Sequence, residues 1–225
     1  MNDVIIVNPV RVETGEMERE YIKRYYPEDE PKIVNVSNGP ETIESFTEKT
    51  VACHAMMERI DELKDSGAVV INCFADPCLF ELRELLDIPV FGAGETTMHI
   101  AAMLGEFSVI GPGDNMISWV RIQAREYGVF DKLISVEKVY MGVKDILSAT
   151  EKVYQGTKKA TVKCIEKGAD VVVLGCTGFS VIAEQLRKEI WEEYRIPVLE
   201  PLLTTYSVAR SFRIPHGRRG LFAGH

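Results

Sequence analysis

The sequence lacks any apolar run of about 18 residues, the length that a membrane-spanning helix requires. It also lacks an excess of positive charge, since 34 acidic and 26 basic residues give a net charge of -8. We therefore expect neither a membrane partner nor a nucleic-acid partner. The N-terminus has no basic region or cleavage site typical of a signal peptide, so we expect a cytoplasmic protein.

Clustered metal ligands are missing as well. The four histidines are scattered, and the five cysteines form no CxxC pair. Because cytoplasmic thiols stay reduced, we expect no disulfide framework and no metal site. The segment Gly92-Ala-Gly94 lacks the third glycine of a dinucleotide-binding loop and is interpreted as a tight turn into a helix. We therefore expect no cofactor.

Short apolar runs alternate with longer helical patterns. The runs are rich in valine and isoleucine and mostly lack polar alternation, which is typical of buried parallel strands. The predicted strands are Val4–Val7, Lys32–Val36, Ala68–Ile71, Ile88–Phe91, Phe107–Ile110, Leu133–Val139, Val171–Leu174 and Ile196–Leu199. The predicted helices span residues 41–64, 78–86, 95–104, 114–127, 142–167 and 179–192. This alternation predicts an α/β fold.

The two halves of the chain also resemble each other. Residues 67–73 resemble residues 168–176, and an Ile-Pro-Val sequence follows each segment. We therefore predict two pseudo-symmetric lobes, each a four-stranded parallel sheet flanked by helices, with the active site in the cleft between them. The lobes are predicted at residues 1–103 and 104–205. Residues from about 206 to 225 could pack back on the first lobe.

Two cysteines occupy equivalent places in this repeat. Cys73 and Cys176 each follow a predicted buried strand and precede a helix. Ligands of open α/β sheets bind at the carboxyl ends of the strands, where a helix N-terminus also favours a thiolate. Asp76 is predicted to cap the first of these helices, with Pro77 at its first position. We therefore predict that Cys73 and Cys176 are catalytic.

The other cysteines carry weaker signals. Cys53 and Cys164 fall on apolar stripes with helical spacing and are predicted to be core residues. Cys78 lies in the first turn of a predicted helix, where either a structural role or a place near the active site is possible. Two opposed thiols suit the inversion of a stereocentre, because one face needs a base and the other an acid.

The segment Asn72-Cys73-Phe74-Ala75-Asp76-Pro77-Cys78-Leu79, with Ile88-Pro89-Val90 and Gly92-Ala93-Gly94-Glu95 after it, resembles the hydantoin racemases. These belong to the aspartate/glutamate/hydantoin racemase superfamily. Asn8-Pro9, Gly39-Pro40, Ile43-Glu44 and Leu174-Gly175-Cys176 fit the same family. The resemblance covers about residues 1–205. It implies a racemase that uses two cysteines and needs no metal, pyridoxal phosphate or nucleotide.

Details of the resemblance bear on the substrate. Glutamate and aspartate racemases place Asn-Thr after the first cysteine and a His or Glu two residues after the second, whereas this chain has Phe74-Ala75 and Thr177-Gly178. Hydantoin racemases commonly carry Gly at the position of Cys78, Ala-Gly at Thr177-Gly178, and often a Thr pair at Gly111-Pro112. Phe74 would offer the substrate an apolar wall. These features favour a 5-substituted hydantoin, or allantoin or another cyclic ureide.

Several further residues are candidates for substrate binding. The turn Gly111-Pro112-Gly113 is predicted to present backbone N–H groups to the substrate, and Gly111 and Pro112 are its candidate binding residues. Asn8 could bind a substrate carbonyl or cap the following turn. Thr177 could contact the substrate or cap the next helix, and Gly178 lies beside it.

Other functions stay open from the sequence. The alternatives are an aspartate/glutamate-type amino-acid racemase, a decarboxylase or isomerase of the same fold, and a non-catalytic two-lobed binder of small molecules. We expect a small-molecule substrate and a homo-oligomer.

Overall fold

The computed structural model describes residues 4–113, 115–147 and 151–213. These residues form two compact units, which divide after Ala93 and again after Pro201, so that residues from Leu202 onward return to the first unit. The sequence analysis placed the two divisions after residues 103 and 205. Of the segment from about 206 to 225, residues 206–213 belong to the first unit and the remainder lies outside the described residues. Within the described ranges, we find no helix of the length and apolarity needed to cross a bilayer.

The first unit is built on a parallel sheet with strand order β2-β1-β3-β4. Its elements are β1 (Val4–Asn8), α1 (Glu16–Tyr25), β2 (Lys32–Asn35), α2 (Phe46–Met57), α3 (Ile60–Leu63), β3 (Ala68–Ile71), α4 (Leu79–Leu85) and β4 (Val90–Gly92). Strand β1 pairs with β2 from Ile5 and Lys32 to Asn8 and Asn35. Asn8 and Asn35 therefore lie side by side at the carboxyl ends of their strands.

The second unit repeats this plan with strand order β6-β5-β7-β8. Its elements are α5 (Ala93–Leu104), β5 (Phe107–Gly111), α6 (Met116–Glu126), β6 (Leu133–Lys138), α7 (Val143–Leu147), α8 (Glu151–Glu166), β7 (Val171–Leu174), α9 (Ser180–Tyr194) and β8 (Val198–Leu199). Helix α10 (Pro201–Phe212) follows and returns the chain to the first unit.

The two inner strands of each sheet correspond at one offset. Residue 4 begins β1 and residue 107 begins β5, while residue 68 begins β3 and residue 171 begins β7, the same offset of 103 positions. All residues of these four strands are buried, which explains their continuous apolar sequences. The predicted α/β class, with a four-stranded parallel sheet in each half, is confirmed.

Some helices differ from the sequence prediction. The predicted helix over 41–64 begins only at Phe46 and is followed by a separate short helix α3. Ser45 caps α2, because its Oγ accepts a hydrogen bond from the Glu48 N–H at 3.2 Å, and the Glu48 carboxylate accepts from the Glu44 N–H at 2.8 Å. This resembles a capping box, except that the Glu48 carboxylate bonds the backbone N–H of the residue before the N-cap, and the Ser-x-x-Glu pattern was present in the sequence.

Helix α10 is an element that the sequence analysis did not predict. Its buried residues Leu202, Tyr206 and Ala209 pack in the core of the first unit with Val4 and Ile22. A polar contact fixes its orientation, since the Tyr206 hydroxyl donates to Asp29 at 3.0 Å and Arg210 Nε donates to the same carboxylate at 2.7 Å. The C-terminal part of the described chain is therefore integral to the first unit.

Candidate active site

Cys73 lies two residues beyond β3, at the carboxyl edge of the first sheet. The preceding Asn72 continues the pairing of the strands, because its backbone N–H donates to the Val7 carbonyl at 2.9 Å. Beyond Cys73 the chain turns, and the Asp76 N–H donates to the Cys73 carbonyl at 3.0 Å. The sheet on one side and this turn on the other fix the backbone of Cys73.

A chain of side-chain hydrogen bonds connects the ends of the three strands beside Cys73. The Asn72 amide donates to Asn8 Oδ1 at 2.7 Å and to Glu18 Oε1 at 3.2 Å, and the Asn8 amide donates to Asn35 Oδ1 at 2.9 Å. Asn8 was a candidate substrate-binding residue, and the structure places it, itself buried, in this part-buried network. The sequence analysis missed Glu18, Asn35 and Asn72 as members. An asparagine at or directly after the end of each of three strands was the available signal.

Glu18 is a buried acidic residue on α1, with 6% of its surface exposed. Burial raises the pKa of the Glu18 carboxyl above its usual 4.5, and hydrogen bonds from its backbone and from Asn8 offset this only in part. Asn72, which directly precedes Cys73, is therefore hydrogen-bonded to a carboxyl group whose pKa is raised by burial.

The turn after Cys73 has an unusual backbone. Asp76 and Cys78 adopt left-handed conformations with φ of 48° and 64°, each of which costs about 1–3 kcal/mol for a residue other than glycine. The prediction that Asp76 caps α4 with Pro77 at its first position is wrong. The helix begins at Leu79, and left-handed Cys78 is its N-cap residue without a capping side-chain bond. The Asp76 carboxyl instead lies against Gly92, since a Cβ atom added to Gly92 would be only 2.5 Å from the Asp76 Cγ.

Cys176 occupies the corresponding place in the second unit, two residues beyond β7. The Gly175 N–H donates to the Ile110 carbonyl at 2.6 Å, and the Phe179 N–H donates to the Cys176 carbonyl at 3.2 Å. Cys176 is the N-cap residue of the 3-10 turn Thr177–Phe179, which leads directly into α9. The predicted position of this thiol just before a helix is therefore observed.

Cys176 packs against the apolar core of the second unit, and further apolar side chains lie near the glycines around it. A Cβ atom on Gly178 would lie 3.4 Å from Cys176 Sγ and 3.3 Å from the Leu147 side chain. Met116, at the start of α6, covers Gly111 and Gly175 at the ends of two strands. A Cβ atom added at Gly111 would lie 2.6 Å from the Met116 methyl group, and one added at Gly175 would lie 3.1 Å from it. Glycine at these positions allows Met116 to approach the sheet edge closely. The sequence analysis did not identify Met116 or Leu147.

Comparisons with known proteins identify the family of this chain. A family model described as Asp/Glu/Hydantoin racemase matches residues 13–207. The chain belongs to this family. A hydantoin racemase of Paenarthrobacter aurescens is 32% identical over 183 residues, which cover 79% of this chain and 76% of the relative. The resemblance noted in the sequence is confirmed, and the protein is an isomerase of the racemase type.

Solved structures of this superfamily share the fold. An allantoin racemase from Klebsiella pneumoniae matches with a TM-score of 0.85 at 23% identity, covering 96% of this chain and 92% of that chain. A glutamate racemase from Bacillus anthracis matches with a TM-score of 0.67 at 17% identity, covering 93% and 80% of the two chains. These likenesses establish the α/β racemase fold.

The remaining predicted binding residues of the racemase differ in exposure. Phe74, Pro112 and Gly178 are buried, whereas Thr177 is half-buried. Pro112 follows the last residue of β5, and Thr177 follows Cys176 directly. Phe74 retains 3% exposure on the turn after Cys73.

The other three cysteines have two different fates. Cys164 is fully buried on α8, where burial, with a smaller effect from Glu137, raises the pKa of its thiol to about 12, so its prediction as a core residue is confirmed. Cys53 and Cys78 are bonded to each other, with 4.5 Å between their Cα atoms. The expectation of a chain without disulfides is therefore wrong. The pairing depends on the docking of α2 beside the turn after Cys73, which sequence spacing does not reveal.

Proposed function

We propose that the protein racemises a five-membered cyclic ureide, such as a 5-substituted hydantoin or allantoin, by proton transfer between Cys73 and Cys176. The observation that carries the proposal is the equivalence of the two thiols. Each lies two residues beyond the third strand of its unit, in sheets whose inner strands correspond at one offset. A duplicated thiol suits a reaction whose two directions need the same chemistry on opposite faces of one carbon.

In this mechanism one cysteine is a thiolate and the other a thiol before each turnover. The thiolate removes the proton from the ring carbon beside the carbonyl, and the electron pair moves into that carbonyl to give an enolate. The opposite thiol then donates its proton to the other face of the carbon. The product is the opposite enantiomer, and the two cysteines have exchanged protonation states.

A ureide substrate fits the polar groups beside Cys73. Ring N–H and C=O groups need matching acceptors and donors, and side-chain amides such as those of Asn8 and Asn72 are of both kinds. Because the Asn72 amide donates to Asn8 and Glu18, and the Asn8 amide to Asn35, a bound substrate would have to replace some of these bonds. Backbone N–H groups of the turn Gly111-Pro112-Gly113 were the other candidates. Proline has no N–H, so Pro112 would contribute only its carbonyl or its ring. Relatives of this chain are named for hydantoin and for allantoin, which both contain this ring.

The ring substituent would meet apolar surface. Met116 lies against Gly175, which precedes Cys176, and Leu147 lies against Gly178, two residues after it. Phe74 directly follows Cys73. An apolar substituent gains about 25 cal/mol for each Å² that it buries, whereas a charged carboxylate would lose hydration there. This supports a hydantoin substrate over free aspartate or glutamate. Thr177 and Gly178 would contact the substrate from the Cys176 side.

We also propose that the enzyme acts in the cytoplasm as a homo-oligomer and without a cofactor or metal. Its acidic net charge of -8 supports the absence of a nucleic-acid partner. Light scattering after size-exclusion chromatography measures the oligomer. Dialysis against a chelator should leave turnover intact, and loss of activity that an added metal ion restores would contradict the cofactor-free mechanism.

A polarimetric screen tests the substrate class. Pure enantiomers of several 5-substituted hydantoins, allantoin, aspartate and glutamate are each incubated with enzyme, and a C73S/C176S double variant supplies the spontaneous rate. We expect rapid loss of optical rotation with a ureide and none above background with the double variant. Faster racemisation of free aspartate or glutamate than of any ureide would overturn the assignment. Carbon dioxide release from an arylmalonate without any racemisation would show a decarboxylase instead.

A further inference from the structure

The Cys53–Cys78 pair lies outside the proposed acid–base chemistry but next to it in the chain. Cys53 belongs to α2, and Cys78 immediately precedes α4. Their Cα atoms are 4.5 Å apart, although 25 positions separate them in sequence. Cys78 is buried, with 3% exposure. The bond therefore joins the turn after Cys73 to helix α2.

This bond holds one end of the segment that carries Cys73. At the other end, Asn72 is hydrogen-bonded to Val7 in the sheet. Between the two ends the Asp76 N–H donates to the Cys73 carbonyl, and Asp76 and Cys78 are left-handed. Non-glycine residues keep this backbone only where the surroundings enforce it. The attachment of Cys78 to α2 is one such constraint.

We propose that Cys53 and Cys78 form a reversible dithiol–disulfide site whose oxidised state holds the Cys73 turn in its active conformation. In the reducing cytoplasm the dithiol is favoured, so the site would raise activity when the thiol pool becomes oxidised. A thiolate of a small thiol attacks one sulfur, the Cys53–Cys78 bond breaks, and a mixed disulfide forms. A second thiol releases the small disulfide, so two electrons and two protons pass to the protein. The reduced state has a hydrogen bond available, because Cys78 Sγ lies 3.3 Å from the Cys53 carbonyl oxygen.

The first measurement counts thiols without any substrate. Protein equilibrated in glutathione buffers, from fully reduced to fully oxidised, is denatured in iodoacetamide and its intact mass recorded. We expect five alkylated cysteines in the reduced protein and three in the oxidised protein, with Cys53 and Cys78 protected. Five alkylated cysteines in every buffer would overturn the proposal. Protection of Cys53 and Cys78 that depends on zinc and involves no disulfide would also overturn it. A zinc site is the defined alternative, because the Glu81 carboxylate lies within 4.8 Å of both sulfurs.

The second measurement couples this state to turnover. On the best ureide of the screen, kcat should fall by roughly tenfold on reduction, because small displacements of a reacting group are costly. The fall should follow the same buffer dependence as the thiol count. C53S/C78S, and C53S alone, should match the reduced enzyme and show no response. Cys164→Ser is the matched control, since it should keep both the basal activity and the response.

Two results would contradict the coupling. One is a disulfide that forms while kcat stays constant, and the other is an equal redox response in C53S/C78S, which would assign the effect to Cys73 or Cys176. The activity measurement rests on the proposed function, whereas the thiol count does not. A failed substrate assignment therefore leaves the count unaffected, and a failed count leaves the racemase assignment unaffected.

Discussion

The side-chain amide of Asn72 donates a hydrogen bond to Asn8 Oδ1 at 2.7 Å, one residue before Cys73. Asn8 ends β1, and Asn72 directly follows β3, the strand paired with it. The bond thus ties the carboxyl ends of two neighbouring strands together, directly before Cys73, the first of the two cysteines that we propose to be catalytic. The same Asn72 amide also donates to Glu18, which joins helix α1 to this point.

Glu18→Gln should make the protein more stable than the wild type, and this gain should grow as the pH rises. The folded state raises the pKa of Glu18 above 4.5 through burial, so folding is favoured while the carboxyl is protonated and loses stability as the pH rises through the folded pKa. Glutamine keeps an oxygen acceptor for Asn72 and cannot ionise. Urea unfolding at pH 4 and pH 8 should show a gain over wild type that is larger at pH 8. A gain confined to pH 4 would contradict the account.

Glu137→Gln should show the opposite dependence on pH. Burial alone would raise the pKa of Glu137, but hydrogen bonds from Lys163 and Lys167 outweigh it and lower the pKa below 4.5. Its stabilisation is present above pH 4.5 and is lost as the pH falls through the folded pKa. We expect a loss of about 1 kcal/mol at pH 7, limited by solvent screening of the two lysines, and a smaller loss at acid pH. A loss that is constant across this range would argue against the ion pair.

Gly92→Ala tests the support of the Cys73 turn. The new Cβ atom would lie 2.5 Å from the Asp76 Cγ, so the Asp76 side chain must move. We expect a destabilisation of about 1–3 kcal/mol together with a lower kcat. Gly156→Ala is the matched control, because its Cβ atom meets only the flexible end of Met141 at 3.1 Å, within helix α8. That variant should gain up to about 1 kcal/mol and keep its activity. Equal unfolding midpoints for the two variants would contradict the prediction.

Much of the fold could be predicted because its inner strands are buried on both faces. Continuous apolar runs such as Val171–Leu174 are recognisable without structural information, and the duplication indicated that the two halves share one plan of four parallel strands. The positions of Cys73 and Cys176 followed from the strand ends. The helix α1 was missed because its buried face contains the polar residues Glu18 and Tyr21, which weakens the helical pattern.

Other features depend on tertiary contacts that a sequence does not display. The Cys53–Cys78 bond needs the side of α2 to face the turn after Cys73. Left-handed backbone at Asp76 and Cys78 replaced the predicted cap, since a helix start was inferred from residue types alone. Met116 packs against two glycines that are far apart in sequence, Gly111 and Gly175, so its position could not be inferred from either segment alone.

In the proposed mechanism, Cys73 and Cys176 each serve one face of the reacting carbon. Replacement of either by serine should stop racemisation in both directions, because a hydroxyl is not a base at neutral pH and loss of a positioned acid or base costs about 10²–10⁴-fold in rate. The remaining thiolate should still remove and return a proton on its own face. Each variant should therefore exchange the hydrogen of one enantiomer with solvent while retaining configuration.

Proton NMR in deuterated water, with each pure enantiomer and each single variant, measures this most directly. The account predicts that Cys73→Ser exchanges one enantiomer and Cys176→Ser exchanges the other, with neither variant producing the opposite enantiomer. Cys164→Ser should racemise as the wild type does. Exchange of the same enantiomer by both single variants, or racemisation at the wild-type rate by either, would contradict the two-thiol mechanism.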